Sequence, residues 1–236
     1  MRYDIFVTVW GERFVRKFLD FALTSQLTPR NIPGLAQEAD IVYRIYTDKK
    51  SEQHFYPELD SLKEFCTVEF IFYEDIRYKY GTLAEAVENS DPKTVKHNVQ
   101  RLTSQHHMAI GAEQPETAIM LMDSDFIFSD GSFLHIHEQR LAGKKAYAGM
   151  FLRLLEEEAG PKLRARLPEP LSGRDLVALA LEHMHPRLKS MFIDAEAPSS
   201  YPTQINWSVG EKGFVTHCYF PHPLMFEVTP ETLRYF

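Results

Sequence analysis

One short run of residues, from Ala118 to Met122, is apolar at every position and is followed at once by acidic residues. A strand with one side in water would alternate apolar and polar residues, so this run predicts a strand covered on both faces. Strands of that kind belong to parallel sheets with helices on both sides. The chain is therefore expected to be an α/β protein with this strand near its centre.

Three other β-rich apolar segments precede this run and are separated from it and from one another by helix-sized intervals. The predicted strands are residues 3–10, 41–47 and 68–73. The intervals predict helices at 12–27 and 51–65, a loop around Pro33, and helices within 83–113 that break at Pro92. Right-handed crossovers between such strands build a mostly parallel central sheet flanked by helices.

The second half of the chain has a less regular pattern. It predicts a helix over 131–142, a strand over 146–152, and a further helix over 173–185. A stretch rich in proline and charge lies at 156–170, and a loop rich in Pro and Ser precedes an aromatic tail. Since no repeat or long linker interrupts the 236 residues, one domain over 1–236 is expected.

Composition excludes several classes of protein. A hydrophobic share of 44% and a charged share of 25% are typical of folded globular chains. The net charge of −7 argues against nucleic-acid binding, which needs clustered Lys and Arg. Cys66 and Cys218 are expected to be reduced, buried thiols.

The N-terminus is too charged for a signal peptide, and no apolar run approaches the roughly 20 residues of a transmembrane helix. A cytoplasmic location is therefore expected, and peripheral membrane association through a partner is compatible with it.

The triplet Asp123-Ser124-Asp125 follows the apolar run directly. Two carboxylates at a strand end can converge on Mg²⁺ or Mn²⁺, which would complete its coordination with water and phosphate oxygens. The competing interpretation is that Asp123 and Asp125 cap the following turn through hydrogen bonds to the backbone. Their placement at the edge where parallel sheets bind ligands favours the functional interpretation.

The segment Ile119–Ile127 resembles the Asp-X-Asp segment of GT-A-fold glycosyltransferases. The strands that end in Thr8-Val9-Trp10-Gly11 and Thr47-Asp48 also resemble that fold in order and spacing. The resemblance implies a GT-A-like fold with a Rossmann-like, nucleotide-binding half in residues 1–128. It implies that residues 129–236 form the acceptor-side half.

The same resemblance implies an activity and a set of ligands. The implied enzyme is a metal-dependent glycosyltransferase that moves a sugar from a nucleotide-diphosphate donor to a hydroxyl of a carbohydrate or lipid-linked acceptor, as in polysaccharide or glycolipid synthesis. Its implied cofactor is Mn²⁺ or Mg²⁺. By this resemblance Asp123 faces the ribose or the metal, and Asp125 ligates the metal. Thr8, Trp10 and Asp48 would then line the base and ribose pocket.

Further candidates lie outside the triplet. A C-terminal histidine often completes the metal site in this family, and His222 is favoured over His217 for that role; a packed structural histidine is the alternative. Arg101, and with it Lys96, is a candidate phosphate or nucleotide contact because a guanidinium matches phosphate oxygens. An ordinary surface charge is the other interpretation. Trp207 is a candidate stacking face for a sugar acceptor, or a core residue.

The sequence selects no catalytic base. Asp175, Glu182 and Asp194 lie where an inverting enzyme would place one, but no spacing distinguishes them. Two other functions stay open. One is a non-catalytic binding module for nucleotide sugars or glycans with the same fold. The other is a phosphatase with Asp123 as nucleophile and Asp125 as acid/base, although haloacid-dehalogenase-like enzymes carry that pair on an early strand.

Overall fold

The computed structural model describes residues 1–78, 81–91, 94–114, 116–210 and 213–229. Its strands are β1 (Arg2–Thr8), β2 (Asp40–Thr47), β3 (Thr67–Phe72), β4 (Arg77–Tyr78), β5 (Gly81–Thr82), β6 (Thr117–Met122), β7 (Ala146–Gly149), β8 (Gln204–Ser208), β9 (Phe214–Cys218) and β10 (His222–Glu227). Its α-helices are α1 (Glu12–Lys17), α2 (Thr24–Gln26), α3 (Ile32–Leu35), α4 (Asp60–Lys63), α5 (Leu83–Glu88), α6 (Val95–Ala112), α7 (Ser132–Leu141), α8 (Glu156–Arg166), α9 (Gly173–Glu182) and α10 (Pro186–Lys189). A π-helical segment, Phe18–Leu23, joins α1 to α2, and a 3-10 turn spans Glu52–Phe55. Within the described ranges, no helix combines the length and the apolar character needed to cross a bilayer.

The central sheet has six strands in the order β3-β2-β1-β6-β10-β7. The first four of these strands are parallel to one another, whereas β10 is antiparallel to both β6 and β7. The prediction of a mostly parallel sheet flanked by helices is confirmed. The position of β10 was not predicted, because its place between β6 and β7 depends on a pairing with β6 about a hundred residues earlier in the chain.

Strand β1 lies between two hydrophobic clusters and contributes side chains to both. Tyr3, Ile5 and Val7 pack with residues of α1, the π-helical segment, α3 and α7 on one face of the sheet. Phe6 belongs to the cluster on the other face, together with residues of α5 and α6. Because α6 covers β1 and β6, polar side chains of β1 on this face meet polar side chains of α6, as with Thr8 and Thr103.

Most of the predicted elements are present, but prolines change several of them. The predicted helix over 51–65 is two short pieces, since Tyr56 is extended before Pro57 (φ −101°, ψ 148°). The helix over 173–185 stops at α9, and Pro186 then opens α10. Pro33 lies within the short helix α3 rather than in a loop. The predicted break at Pro92 lies outside the described residues.

The stretch 156–170, which was not predicted as a helix, contains α8. Three glutamates occupy its first turn, where they interact favourably with the helix dipole, and Arg164 and Arg166 occupy its last turn. Pro161 removes one backbone donor inside the helix. Ala159 and Leu163 are buried in a third hydrophobic cluster, and this packing offsets the lost hydrogen bond. The predicted strand 146–152 is shorter than expected and ends at Gly149.

Candidate functional site

The carboxyl ends of three neighbouring parallel strands meet at one edge of the sheet. Val7 is paired with Met122 and Thr8 with Tyr46, so β1, β2 and β6 end side by side. This register places the predicted residues that follow β1, β2 and β6 at the same edge. After β6 the chain turns, and the amide of Phe126 donates a hydrogen bond to the carbonyl of Asp123 at 3.2 Å.

The carboxylate of Asp123 is half-buried and accepts a hydrogen bond from the side-chain amide of Gln100 on α6. Burial raises the pKa of Asp123, and the nearby Asp125 carboxylate raises it further. His222, the Gln100 hydrogen bond and Arg153 act in the opposite direction. The turn is closed by the backbone of Asp123, and its side chain binds a neighbouring helix instead. This geometry weakens the interpretation of Asp123 as a turn cap.

His222 opens β10 and lies beside Asp123. Met225 is paired with Met120 and Phe226 with Ile119 in the antiparallel register, and His222, near the start of the same strand, lies close enough to act electrostatically on Asp123. The His222 ring packs edge-on against Phe126, with centroids 4.8 Å apart. His217, the other candidate, is exposed on β9. The structure therefore brings His222, and not His217, to the triplet.

The His222 imidazole is packed like a structural residue, yet one of its ring nitrogens forms no hydrogen bond within the described residues. Phe151 also contacts the ring edge-on, with centroids 5.7 Å apart. The Nε2 atom is buried and has no hydrogen-bond partner among the described residues. A buried polar atom without a partner costs about 1–3 kcal/mol, so Nε2 is available to bind a ligand.

The residues around the triplet fit a divalent cation by chemistry. Asp123 and Asp125 supply carboxylate oxygens, and His222 supplies an imidazole nitrogen without a partner. Within the described residues, no group of three or more His, Cys, Asp or Glu side chains is already close enough to hold a metal ion. A cation here would therefore depend on further ligands from water and from phosphate, as Mg²⁺ commonly does.

The residues predicted to line a nucleotide pocket lie at the same edge, each with a protein contact. The Thr8 hydroxyl lies 2.7 Å from the Thr103 hydroxyl. The Trp10 ring packs edge-on against Tyr73, with centroids 5.7 Å apart. The Asp48 carboxylate accepts a hydrogen bond of 2.7 Å from the amide of Ser51.

Ser51 also joins the two loops that follow β1 and β2. Its hydroxyl accepts a hydrogen bond of 2.8 Å from the amide of Gly11. Gly11 has φ 80° and ψ 131°, a conformation that a side chain would strain. The loops that carry Trp10 and Asp48 are thus held together by one serine hydroxyl.

Two residues near Asp123 were missed by the sequence analysis. Arg101 was predicted as a site residue, but it is exposed on α6, while its neighbour Gln100 reaches Asp123. The inward stripe of α6, which includes Val99 and Thr103, could have pointed to Gln100. Arg153 follows β7, and no periodic pattern marked it.

Two of the three candidate bases have structural partners. Asp175 forms a capping box with Ser172 at the start of α9. Hydrogen bonds from Ser172, and then the Arg166 guanidinium, lower the pKa of Asp175 to about 2. The hydrogen bond and charge of Lys162 likewise lower the pKa of Glu182. Such stabilised carboxylates are poor proton acceptors near neutral pH. The third candidate, Asp194, is exposed.

Comparisons with known proteins give a distant structural likeness. No protein-family model matches the chain, and no curated protein sequence matches it. Among solved structures, the chain is similar to mouse xyloside xylosyltransferase 1 in its apo form, at 12% sequence identity and a TM-score of 0.40. The overlap covers 72% of this chain and 60% of the mouse chain. A likeness this distant carries no inference about family or activity.

Proposed function

We propose that the chain is a metal-dependent glycosyltransferase that transfers a sugar from a nucleotide-diphosphate donor to a hydroxyl acceptor. The observation that carries the proposal is the meeting of Asp123 with His222 at the carboxyl edge of the parallel strands. The unpartnered Nε2 of His222 lies in a site with two carboxylates from the triplet. Ligands of α/β sheets bind at this edge.

The proposed reaction breaks the bond between the anomeric carbon and the diphosphate while the oxygen of an acceptor hydroxyl forms a new bond to that carbon and releases its proton to water. Negative charge then develops on the departing diphosphate. A divalent cation held by Asp123, Asp125 and His222 would neutralise that charge. Arg153 lies close enough to act electrostatically on Asp123, and its guanidinium suits a phosphate oxygen pair.

The remaining site residues hold the donor in place in this proposal. Trp10 offers a partly exposed ring beside Tyr73, which suits stacking on a nucleobase. Thr8 and Asp48 offer polar oxygens to a ribose. Gln100 orients Asp123 from α6.

Thermal unfolding with nucleotides tests the site. The protein would be melted with UDP, GDP, CDP or dTDP, each with Mn²⁺ or with a chelator, as wild type, Asp125→Ala and the control Asp194→Ala. Both aspartates are exposed, so either variant should fold. A ligand at 100 times its dissociation constant adds about 2.7 kcal/mol and should raise the midpoint by roughly 5 to 10 °C.

We expect at least one nucleotide to stabilise the wild type and Asp194→Ala only with Mn²⁺, and Asp125→Ala to lose the effect. The absence of any shift would overturn the proposed site. Release of nucleoside diphosphate from the matching nucleotide sugar would then separate an enzyme from a binding module. Trapping a phosphate on Asp123 would instead support the phosphatase alternative.

A further inference from the structure

The two-stranded ribbon of β8 and β9 buries two amide side chains and exposes aromatic ones. On its inner face Gln204 is 5% exposed and Asn206 is fully buried, and Phe214 packs edge-on against Phe192. The amide of Gln204 donates to the side-chain oxygen of Asn206 at 3.0 Å. Asn206 also bonds through its backbone to Met191 and Ile193. The inner face is thus fastened to the segment that follows α10.

The outer face of this ribbon carries aromatic and aliphatic side chains. We call it the aromatic face, and it consists of Ile205, Trp207, Val215, His217 and Tyr219. Trp207 is paired with Val215 and Ile205 with His217 across the strands. Tyr219 continues the same side of the chain, with its ring 4.7 Å from that of His217. The exposed fractions are 38% for Trp207, 60% for Val215 and 46% for Tyr219.

A contiguous group of exposed apolar and aromatic side chains often marks a binding surface. Soluble proteins place polar residues outward on such a ribbon, so an outward aromatic side with an inward amide pair needs a reason. Burial of the aromatic face by a ligand supplies one.

The aromatic face also lies next to the proposed active site. The chain runs from Tyr219 through Phe220 and Pro221 to His222, which begins β10. Three peptide steps separate the Cα atoms of Tyr219 and His222 by at most roughly 11 Å. A molecule on the aromatic face can therefore extend to the edge where Asp123 lies.

We propose that the aromatic face binds a neutral carbohydrate chain, which serves as the acceptor. The acceptor role rests on the proposed glycosyltransferase function. None of the five residues of the face is Asp, Glu, Lys or Arg, so the face matches an uncharged ligand. Flat rings with a polar tip, as in Trp207 and Tyr219, can stack on the C–H faces of sugars and bond to their hydroxyls.

A membrane surface fits the aromatic face less well. Adhesion to anionic lipid draws on clustered Lys and Arg, each worth about 1 kcal/mol, and the face has none. A sugar chain needs no such charge.

Tryptophan fluorescence can report on the aromatic face directly, because the chain has only Trp10 and Trp207. The Trp10→Phe variant leaves Trp207 as the single fluorophore. It would be titrated with neutral hexasaccharides of glucose, xylose, mannose and N-acetylglucosamine, and separately with vesicles of phosphatidylcholine and phosphatidylserine. Calorimetry would compare Trp207→Ala and Tyr219→Ala with Leu141→Ala, an exposed apolar control on α7.

We expect saturable binding of at least one hexasaccharide, weakened about 10-fold or more by Trp207→Ala and Tyr219→Ala, a change of about 1.4 kcal/mol. Leu141→Ala should bind like wild type. Failure of every sugar to bind overturns the inference, as does a Trp207 response to vesicles alone or a dimer that Trp207→Ala dissociates.

The carbohydrate face and the proposed function can fail independently in these experiments. Nucleotide binding with no sugar binding would overturn the carbohydrate face and leave the donor site standing. Sugar binding with no nucleotide response would keep the carbohydrate site and overturn its role as an acceptor site.

Discussion

Gln100 donates a hydrogen bond from its side-chain amide to the carboxylate of Asp123. The bond joins α6 to the end of β6 and holds Asp123 in one orientation beside His222. It also stabilises the ionised carboxylate against the effect of burial. In the proposed site Gln100 is a positioning residue, since it acts on the cation and donor through Asp123.

Replacing Gln100 should therefore weaken the site without unfolding the protein. We expect Gln100→Ala to lower the affinity for Mn²⁺ and nucleotide by roughly 10- to 100-fold, as for other residues that orient metal ligands. Arg101→Ala is a matched control on the same helix, because Arg101 is exposed. Calorimetric titration would measure both affinities. A larger loss in Arg101→Ala than in Gln100→Ala would contradict the assignment.

His222 should have opposite effects on metal binding and on stability. His222→Phe keeps a ring between Phe126 and Phe151 and removes the buried nitrogen that has no partner. Without metal, we expect the free energy of unfolding to rise by about 1 kcal/mol, because the unsatisfied polar atom is gone. Stabilisation by Mn²⁺ should be lost.

The control for this prediction is His217→Phe, which changes an exposed histidine on β9. It should leave both the free energy of unfolding and the Mn²⁺ effect close to wild type. Denaturant unfolding with and without Mn²⁺ gives both quantities. If His222→Phe keeps its Mn²⁺ response, His222 is not a ligand.

A buried polar cluster on β1, β2 and α6 should make stability depend on pH. His107 stacks on Phe6, with ring centroids 4.0 Å apart. Its Nε2 lies 3.5 Å from the Asp4 carboxylate, which also pairs with Arg44. The Tyr46 hydroxyl lies 3.4 Å from Nδ1 of His107.

Burial, and then the positive charges of Arg44 and His106, hold the pKa of His107 well below its ordinary value of 6.5. As the pH falls below about 6.5, the unfolded chain binds a proton that the folded protein does not, so the free energy of unfolding falls. Burial likewise lowers the pKa values of His106 and His137. These two residues therefore also lower the free energy of unfolding as the pH falls. Burial raises the pKa of Asp4, which acts in the opposite direction.

We expect the free energy of unfolding to decrease between pH 7 and about 5.5, by at most about 1.4 kcal/mol per pH unit for each such histidine. His107→Gln should reduce that slope, because an amide does not titrate. His97→Gln, on the exposed side of the same helix, should keep it. Urea unfolding at several pH values measures the slope, and an unchanged slope in His107→Gln would rule out His107 as its source.

Gly111 allows α6 to lie close to β6. A Cβ added there would lie 2.5 Å from Cδ1 of the buried Ile119. Gly111→Ala should therefore destabilise the protein by about 1–2 kcal/mol, since overpacking exceeds the gain in helix propensity. Ile119→Val removes Cδ1 and relieves the contact.

The double variant Gly111→Ala with Ile119→Val should be more stable than the sum of the single changes predicts, by about 1 kcal/mol. Denaturant unfolding of the four proteins gives this coupling energy. Simple additivity would mean that α6 and β6 do not touch at this point.

The sequence was sufficient where a local pattern reflects local structure. The strands β1, β2, β3 and β6 and the helix α6 follow from hydrophobic periodicity and from breaks at Gly and Pro. The parallel order also follows, since helix-sized intervals between buried strands require crossovers. Asp123 and Asp48 could be placed at one edge because parallel strands end on the same side.

Other features could not be read from the sequence. The helix α8 was not predicted, because it contains Pro161 and many charged residues. Its buried side consists of only Ala159 and Leu163, which is too few for a clear periodic pattern. Arg101 was predicted because its charge suggested phosphate binding, while the rotation of α6 decides that Gln100 reaches Asp123.

The sequence by itself determined the α/β architecture and the edge that carries the acidic triplet, and it suggested the residues that we propose as metal ligands. Tertiary structure alone decided that β10 pairs with β6, which sets His222 against Asp123 and leaves His217 in solvent. It also decided that Gln204 and Asn206 of β8 face inward while Trp207 faces outward. Pairings between residues far apart in the chain set these positions, and they depend on packing over the whole sheet, which no local periodicity encodes.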